Sequence, residues 1–279
     1  MAEKLSVVKI SGKIIDDPKK LKGFLQDFAS ITYCKILVHG GGVEIDNLMN
    51  RHRMPIKKID GKRITDLGAL CATLIECTKL NTYIVETLKN LTFVPFLTED
   101  EQPRFVGLTE PGTYINSTKR KIIHNPDGTK TNYQYVGDVA WQLVDTDAIN
   151  GILKSHSTLG AWATPVIPPI TFDAKNKLFL NSNADGVATA IAAAMSVQKH
   201  YETELVFCSD VAGVLRDVNN PKSLIENIDS ETYVDLRKDG TISGGMIPKL
   251  ESAFKAINSG VHSVKICSTI SGRGTTITR

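Results

Sequence analysis

Apolar positions near the start of the chain follow two different repeats. Mostly apolar runs at Leu5–Ile10 and Ile36–Val38 predict two buried strands, whereas apolar side chains between residues 18 and 30 recur at the spacing of a helix. A strand, a helix and a second strand in this order are typical of a parallel sheet with right-handed crossovers. The pattern predicts an α/β fold with an open, mainly parallel central sheet sandwiched between helices.

The middle of the chain changes pattern twice. Residues 67–90 predict one long helix, and Thr92–Leu97 predicts the strand that follows it. Residues 98–137 are then rich in polar and turn-forming side chains, and the Asn-Pro-Asp-Gly sequence at 125–128 is a strong signal for a hairpin turn. This segment predicts an antiparallel hairpin excursion from the main sheet.

The last part of the chain returns to strands and helices. Thr164–Ile170 predicts a strand, and a second strand from Leu178 ends in polar residues at the carboxyl edge, where open α/β sheets bind ligands. An alanine-rich helix follows it. The pattern then predicts a strand from Glu204 and a glycine-rich loop at 240–245 that opens a helix. It ends with two closing strands, at 264–267 and 274–277.

Three consecutive glycines, Gly40–Gly42, separate the second strand from the helix that follows it. Backbone N–H groups without side chains beside them, together with the positive end of a helix dipole, form an anion site. The spacing fits neither a P-loop nor a dinucleotide fingerprint, and the serine elbow that accompanies a lipase oxyanion loop is missing from the sequence. A phosphate or carboxylate site remains, with a tight turn that binds nothing as the alternative.

Polar side chains interrupt apolar surroundings at several strand ends. Lys9 lies between Val8 and Ile10, and Asn181, Asn183 and Asp185 follow a buried strand. A buried lysine needs a partner, so Lys9 either meets an anion or reaches water at the end of its strand. Asp185 could instead only cap its helix, which leaves both asparagines unexplained.

Arg63 and Lys249 lie beside glycine turns. Arg63 follows Gly61 and precedes a helix cap at Asp66, where it can fork onto a carboxylate or remain a surface arginine. Lys249 lies in the first turn of the helix that the second glycine-rich loop opens. Both cations are therefore candidates for binding anionic ligands.

Composition and charge exclude several classes of protein. The chain has 279 residues, 42% hydrophobic and 23% charged, as in a soluble globular protein of one large domain or two lobes. The net charge of +3 is small and its basic residues are scattered, so we expect no nucleic-acid partner. Neither a signal peptide nor a membrane span is evident, and five widely spaced cysteines fit reduced thiols in the cytoplasm.

Several motifs agree in order and spacing with one family. The chain resembles the amino acid kinase family from Lys9 to Ile277, and especially its members that phosphorylate the γ-carboxylate of N-acetyl-L-glutamate in arginine synthesis. The motifs that carry the resemblance are Lys9-Ile-Ser-Gly12, Val38-His-Gly-Gly-Gly42, Gly61-x-Arg-x-Thr-Asp66, Asn181-x-Asn-x-Asp185, Ser209-Asp-Val-x-Gly213, Gly244-Gly-Met-x-x-Lys249 and Gly274-Thr275.

The resemblance implies two lobes and two substrates. Residues 1–176 would form an N-terminal lobe for N-acylglutamate and dimerisation, and residues 177–279 a C-terminal lobe for ATP. Mg²⁺ would be held mainly by the nucleotide phosphates, without a metal site made by the protein. The resemblance also implies a cytoplasmic homodimer. The first strand begins near Leu5, so the N-terminal helix that marks arginine-inhibited hexameric members is absent, and we expect that arginine does not inhibit the protein.

The resemblance also implies roles for individual residues. Lys9 and Lys249 would stabilise the transferring phosphoryl group, and Asp185 would hold both lysines. The substrate would be bound by the backbone N–H groups of the glycine triplet and by polar side chains, namely Gly41, Gly42, Arg63, Asn181 and Asn183. Nucleotide contacts would come from Gly12, Asp210, Val211, Ala212, Gly213, Val214, Leu215, Thr241, Ile242 and Ser243.

The implied reaction needs no general base, because the acceptor carboxylate is ionised at neutral pH. His39 is therefore interpreted as structural. Ser11 replaces a glycine of the family pattern, Gly244 replaces an acidic residue of some members, and residues 98–137 lack the usual Gly-x-Asp-Gly sequence. N-succinylglutamate is accordingly an alternative acceptor. A kinase of aspartate, glutamate, UMP or carbamate would share the same fold, and a non-catalytic effector-binding protein would have kept the fold and lost the chemistry.

Overall fold

The computed structural model describes residues 2–59, 62–108, 115–116, 118–124, 129–155 and 163–279. Its strands are β1 Glu3–Ile10, β2 Cys34–His39, β3 Lys58–Ile59, β4 Lys62–Arg63, β5 Phe105–Gly107, β6 Thr118–His124, β7 Lys130–Asp138, β8 Thr164–Ile167, β9 Ile170–Asp173, β10 Leu178–Ser182, β11 Tyr201–Cys208, β12 Asn227–Ile228, β13 Ser263–Cys267 and β14 Gly274–Ile277. Its α-helices are α1 Gly12–Ile15, α2 Pro18–Ala29, α3 Gly42–Arg51, α4 Leu67–Thr92, α5 Thr146–Leu153, α6 Ala184–Val197, α7 Ser230–Lys238 and α8 Met246–Asn258.

An eight-stranded sheet forms the centre of the molecule, in the order β12-β14-β13-β11-β1-β2-β8-β5. Every neighbouring pair is parallel except β13 and β14, which are antiparallel. The first strand, β1, pairs with β2 on one side and with β11 on the other. The mainly parallel central sheet that the sequence predicted is confirmed.

Helices cover both faces of this sheet, because alternate residues of a strand point to opposite sides. Leu5 and Val7 of β1 pack in the same core as the alanine-rich α6 and the inner face of α8. Val8 and Ile10 pack on the other side with α2 and α4. The predicted sandwich of helices around the sheet is therefore present, and it places the ends of the parallel strands between two layers of helix.

A second, four-stranded sheet has the order β6-β7-β10-β9. Strands β6 and β7 are antiparallel, which confirms the predicted hairpin; its turn residues 125–128, like the turn glycine Gly61, lie outside the described residues. The single strand predicted over Thr164–Ile170 is wrong, because Pro168 and Pro169 lack N–H donors and divide it into β8 and β9. The strand predicted from Leu178 is β10, and it belongs to this smaller sheet.

The strand predicted at Thr92–Leu97 is also wrong. Helix α4 continues to Thr92, whose hydroxyl donates to the Leu88 carbonyl, and Phe96 is 94% exposed. The Gln102 side chain bonds both the N–H and the carbonyl of Val94, which replaces the ladder bonds of a strand. The next strand after α4 is β5, which lies at the edge of the central sheet beside β8. In the described part of the chain, no helix combines the length and apolar character needed to cross a bilayer.

Candidate active site

The carboxyl ends of three adjacent strands meet at one cavity. Strand β1 ends just before Ser11, β2 runs into Gly40, and β11 ends just before Ser209. The cavity has a volume of about 500 Å³ and is lined by Ser11, Gly12, Lys13, Asp16, Gly40, Gly41, Gly42, Val43, Asp46, Lys58, Ser209, Asp210 and Lys249. The fold thus gathers Gly12, the glycine triplet Gly40–Gly42 and Lys249 from distant parts of the sequence.

Lys9 and Asp185 form an ion pair beside this cavity, with the Lys9 Nζ 2.6 Å from the Asp185 Oδ1. Lys9 is held by the central sheet, and Asp185 lies in the first turn of α6, after β10 of the smaller sheet. Burial lowers the pKa of Lys249, and the nearby positive charge of Lys9 acts in the same direction, while Asp185 opposes them. The structure therefore brings together the three residues predicted to be catalytic.

Lys13 adds a cation that the sequence interpretation missed. Its Nζ lies 2.9 Å from the Asp210 Oδ2, across the same cavity wall. Partial burial opposes ionisation of Asp210, but the hydrogen bond from Lys13, a backbone hydrogen bond and the charges of Lys13 and Lys249 together lower the pKa of that carboxyl group. Asp210 is therefore ionised and paired. The signal for Lys13 was its place directly after the Ser11-Gly12 turn.

A second cavity of about 260 Å³ adjoins the glycine triplet. Its lining consists of Gly40, Gly41, Gly42, Ile45, Lys58, Lys62, Arg63, Val136, Gly137, Asp138, Pro169, Asn181, Ser182, Asn183 and Ala184. Gly41 and Gly42 line both cavities, and helix α3 begins at Gly42. Since the first N–H groups of a helix have no acceptor inside it, they are available to ligands on either side.

Arg63 reaches this second cavity from β4 and is itself held by α3. Its Nη1 lies 2.5 Å from the Asp46 Oδ1, and its Nη2 donates to the Gly42 carbonyl at 3.1 Å. The Nζ of Lys58 lies 2.6 Å from the other carboxylate oxygen of Asp46. Partial burial opposes ionisation of Asp46, but the bonds from Lys58 and Arg63 lower its pKa. Asp46 thus orients two cations, a contact the sequence interpretation did not foresee.

The two asparagines also lie at the second cavity, and each has a contact within the protein. The Asn181 Nδ2 donates to the Thr65 hydroxyl at 3.0 Å. The Asn183 Oδ1 accepts from the backbone N–H groups of Asp185 and Gly186, so Asn183, and not Asp185, is the N-cap of α6. The cap fixes the start of the helix that carries Asp185.

Most residues of the segments predicted to contact nucleotide do not line either cavity. Gly213 has a φ of +150°, and a Cβ there would lie 2.6 Å from the Thr275 hydroxyl, so a larger residue is excluded. Thr275 in turn accepts from the Val214 N–H at 2.8 Å. The remaining predicted residues, of which Val214 and Ile242 are buried in the core, line neither of the two cavities: Val211, Ala212, Gly213, Val214, Leu215, Thr241, Ile242 and Ser243.

Comparisons with known proteins identify the family of this chain. Residues 4–268 match the amino acid kinase family. The chain is 37% identical over 265 residues to the acetylglutamate kinase of Cytophaga hutchinsonii, which covers 95% of this chain and 91% of that protein. It is 35% identical over 267 residues to the acetylglutamate kinase of Bacteroides thetaiotaomicron, covering 95% and 94%. This protein therefore belongs to the amino acid kinase family.

A solved structure extends the agreement in fold. The carbamate kinase of Giardia lamblia bound to AMP-PNP has a TM-score of 0.63 with this chain and 14% identity, covering 100% of this chain and 99% of that one. At this identity the likeness concerns the arrangement of helices and sheet. It confirms the α/β class with a mainly parallel central sheet.

Proposed function

We propose that this protein transfers the γ-phosphoryl group of ATP to the γ-carboxylate of N-acetyl-L-glutamate, giving an acyl phosphate in arginine biosynthesis. Membership of the amino acid kinase family and the names of two relatives, each covering 95% of the chain, support it. The observation that carries the proposal is the Lys9–Asp185 pair, with Lys249 beside it, next to two cavities that share Gly41 and Gly42.

Lys9 and Lys249 offset the charge repulsion between the two substrates. A carboxylate and a triphosphate repel each other, so phosphoryl transfer depends on positioning and on neutralising charge. Lys9 comes from the central sheet and Lys249 from α8, and Asp185 attracts both. In this proposal the two ammonium groups bind the phosphoryl oxygens from opposite sides, and Asp185 keeps them in place.

The second cavity has the charges that an N-acylglutamate requires. Arg63 is oriented by Asp46 and binds the α-carboxylate, while Asn181, anchored on Thr65, binds the N-acyl group. Gly41 and Gly42 direct backbone N–H groups at the γ-carboxylate and the phosphoryl group between the cavities. The acceptor carboxylate is already ionised at neutral pH, so the reaction requires no protein base.

The larger cavity fits the phosphates of MgATP. Ser11, Ser209 and Lys249 line it, and the two serine hydroxyls are buried and have no hydrogen-bond partner among the described residues. Mg²⁺, when bound with the nucleotide, would neutralise charge on its phosphates. In the described part of the chain, no group of three or more His, Cys, Asp or Glu side chains is arranged to hold a metal ion.

The lobes, the assembly and the location belong to the same proposal. Residues 1–176 bind N-acylglutamate and form the dimer. Residues 177–279 bind ATP through Asp210 and the segments 211–215 and 241–243, and Gly12 of the N-terminal lobe adds a nucleotide contact. The enzyme works as a cytoplasmic homodimer. Size-exclusion chromatography with light scattering tests the dimer directly.

One observation favours a second acceptor, N-succinyl-L-glutamate. Lys58 and the exposed Lys62 line the acceptor cavity in addition to Arg63. A succinyl group carries a second carboxylate, and a further ammonium group at the cavity rim is a suitable partner for it.

The deciding experiment measures ATP- and Mg²⁺-dependent acyl phosphate, trapped with hydroxylamine, on N-acetylglutamate, N-succinylglutamate, glutamate and aspartate in parallel. Turnover of N-acetylglutamate above the others is the expected result. Turnover of the succinyl compound alone changes the acyl group, and turnover of a free amino acid alone overturns the acceptor assignment. ATP binding without turnover of any acceptor means that the protein is not this kinase.

A further inference from the structure

His39 and Asn81 form a buried chain of hydrogen bonds behind the glycine triplet. The His39 Nδ1 lies 2.7 Å from the Gly40 carbonyl oxygen, and its Nε2 lies 3.0 Å from the Asn81 Nδ2. The same Asn81 nitrogen donates to the Val166 carbonyl of β8 at 2.9 Å. Both side chains are buried, and their hydrogen bonds connect β8 through α4 to Gly40, which follows β2.

This chain of bonds determines where the proton of His39 lies. Because Val166 presents a carbonyl oxygen, the Asn81 side chain must turn its NH₂ group toward it. The same NH₂ group then faces the His39 Nε2, which has to accept and therefore carries no proton. The proton lies on Nδ1 and is donated to the Gly40 carbonyl. Burial lowers the pKa of His39 to about 4, which agrees with a neutral ring.

The bond to the Gly40 carbonyl has a consequence at the next residue. In a trans peptide the C=O and the N–H point in opposite directions, and the described chain contains no cis peptide bond. When His39 draws the Gly40 carbonyl toward α4, the Gly41 N–H is turned away from α4. Gly41 itself packs closely against α4, since a Cβ on it would lie 3.1 Å from the Cys77 Sγ.

We infer that His39 is a positioning residue, which fixes the Gly40–Gly41 peptide so that the Gly41 N–H points at the ligands between the two cavities. This inference rests on the proposed function, in which that N–H binds the γ-carboxylate or the phosphoryl group. Asn81 acts one step further back by selecting the proton position on His39. A donor fixed in this way stabilises the transition state of phosphoryl transfer without having to rearrange during the reaction.

Gly107 shows how closely the surrounding structure is fitted to Asn81. A Cβ on Gly107 of β5 would clash with the Asn81 Oδ1, so a larger residue would displace the asparagine. Three features that the proposed reaction does not itself use, His39, Asn81 and Gly107, thus serve one purpose.

Three substitutions of His39 separate positioning from stability. His39→Asn keeps a donor near the Nδ1 position but loses the contact with Asn81, His39→Gln keeps a polar group near Nε2 but loses the donor to Gly40, and His39→Leu loses both. We expect kcat to fall on the order of 10²-fold in the Gln and Leu variants, with much of it recovered in the Asn variant. Urea denaturation measures stability in parallel, and His262→Leu, at an exposed histidine, is the matched control.

The order of activities decides the inference. A structural role predicts that activity follows stability, whereas a positioning role predicts an active Asn variant whatever its stability. Equal activity of the Gln and Asn variants, or wild-type kcat in all three, overturns the inference. Long-range ¹H–¹⁵N spectra of the wild type should give the Nδ1–H tautomer, and an Nε2–H tautomer contradicts it. Because the spectra need no turnover, they test His39 even if the proposed acceptor is wrong.

Discussion

Two lysines, Lys35 buried and Lys9 half-buried, lie at opposite ends of the central sheet and have different surroundings. At the amino end, the Lys35 Nζ donates to the carbonyls of Phe28, Ala29 and Ile31 at 3.0, 2.9 and 2.8 Å, where α2 ends. At the carboxyl end, Lys9 pairs with the single carboxylate of Asp185 at 2.6 Å.

The difference lies in what each ammonium group can still bind. Lys35 uses its three hydrogens on the backbone of its own chain, at the negative end of a helix dipole. It therefore closes a helix and has nothing left for a ligand. Lys9 has one charged partner among the described residues, and that partner neutralises it while leaving ammonium hydrogens for a ligand, which in the proposed reaction is the phosphoryl group. A lysine within a strand is thus a functional candidate only when its hydrogens are not all used by carbonyls.

The largest expected effect is the loss of activity in Lys9→Met. The substitution keeps the apolar stem but removes the charge, and loss of one such group costs about 10²–10³-fold in kcat. Acyl phosphate formation under saturating substrates measures it. Urea denaturation should give a small change in the free energy of unfolding. A Lys9→Met enzyme with wild-type kcat would remove Lys9 from the reaction.

A loss of stability is the expected effect of Lys35→Met, the counterpart at the amino end. Three carbonyl oxygens lose their donor, and unsatisfied buried polar groups cost about 1–3 kcal/mol. Urea denaturation should show this decrease, whereas kcat measured on the folded fraction should stay unchanged. If Lys35→Met instead lost activity at full stability, the comparison between the two ends would be wrong.

The smallest expected effect is a pH dependence from His39, at the opposite end of β2 from Lys35. Burial lowers its pKa to about 4 from 6.5. Between these values the unfolded chain binds a proton that the folded chain does not, so lowering the pH from 6.5 to 4 decreases the free energy of unfolding. His39→Asn lacks this contribution. Its unfolding curves at pH 7.5 and 5 should differ less than those of the wild type; an equal difference speaks against a neutral buried ring.

Local pattern was sufficient for much of this molecule. The apolar runs predicted β1 and β2. Lys9 within the first run and the glycine triplet after the second were recognised as candidate site residues because they interrupt or end an apolar strand. Asp185 and Lys249 followed from motifs at helix starts. These residues could be found because a charged side chain next to a buried strand is unusual enough to require a partner.

Contacts between distant elements were not predictable in this way. Asp46 looks like an ordinary polar position of α3 until the fold brings Arg63 and Lys58 to it. Helices α5 and α7 were missed because they are only eight and nine residues long, although Asp145 and Asp229 cap them. The pairing of β10 with β7 was also not predictable. The alternation of apolar and polar side chains along β10 shows which face is buried, but it does not show which strand lies beside it.

The position of β1 between β2 and β11 has a consequence for synthesis on the ribosome. Ile10 pairs with Cys208, 198 residues later in the chain. At translation rates of 5–20 residues per second, one edge of β1 waits roughly 10–40 s for its neighbour. An apolar strand with an unpaired edge can associate with other chains during that time. The nascent protein is therefore expected to depend on chaperones until β11 has emerged.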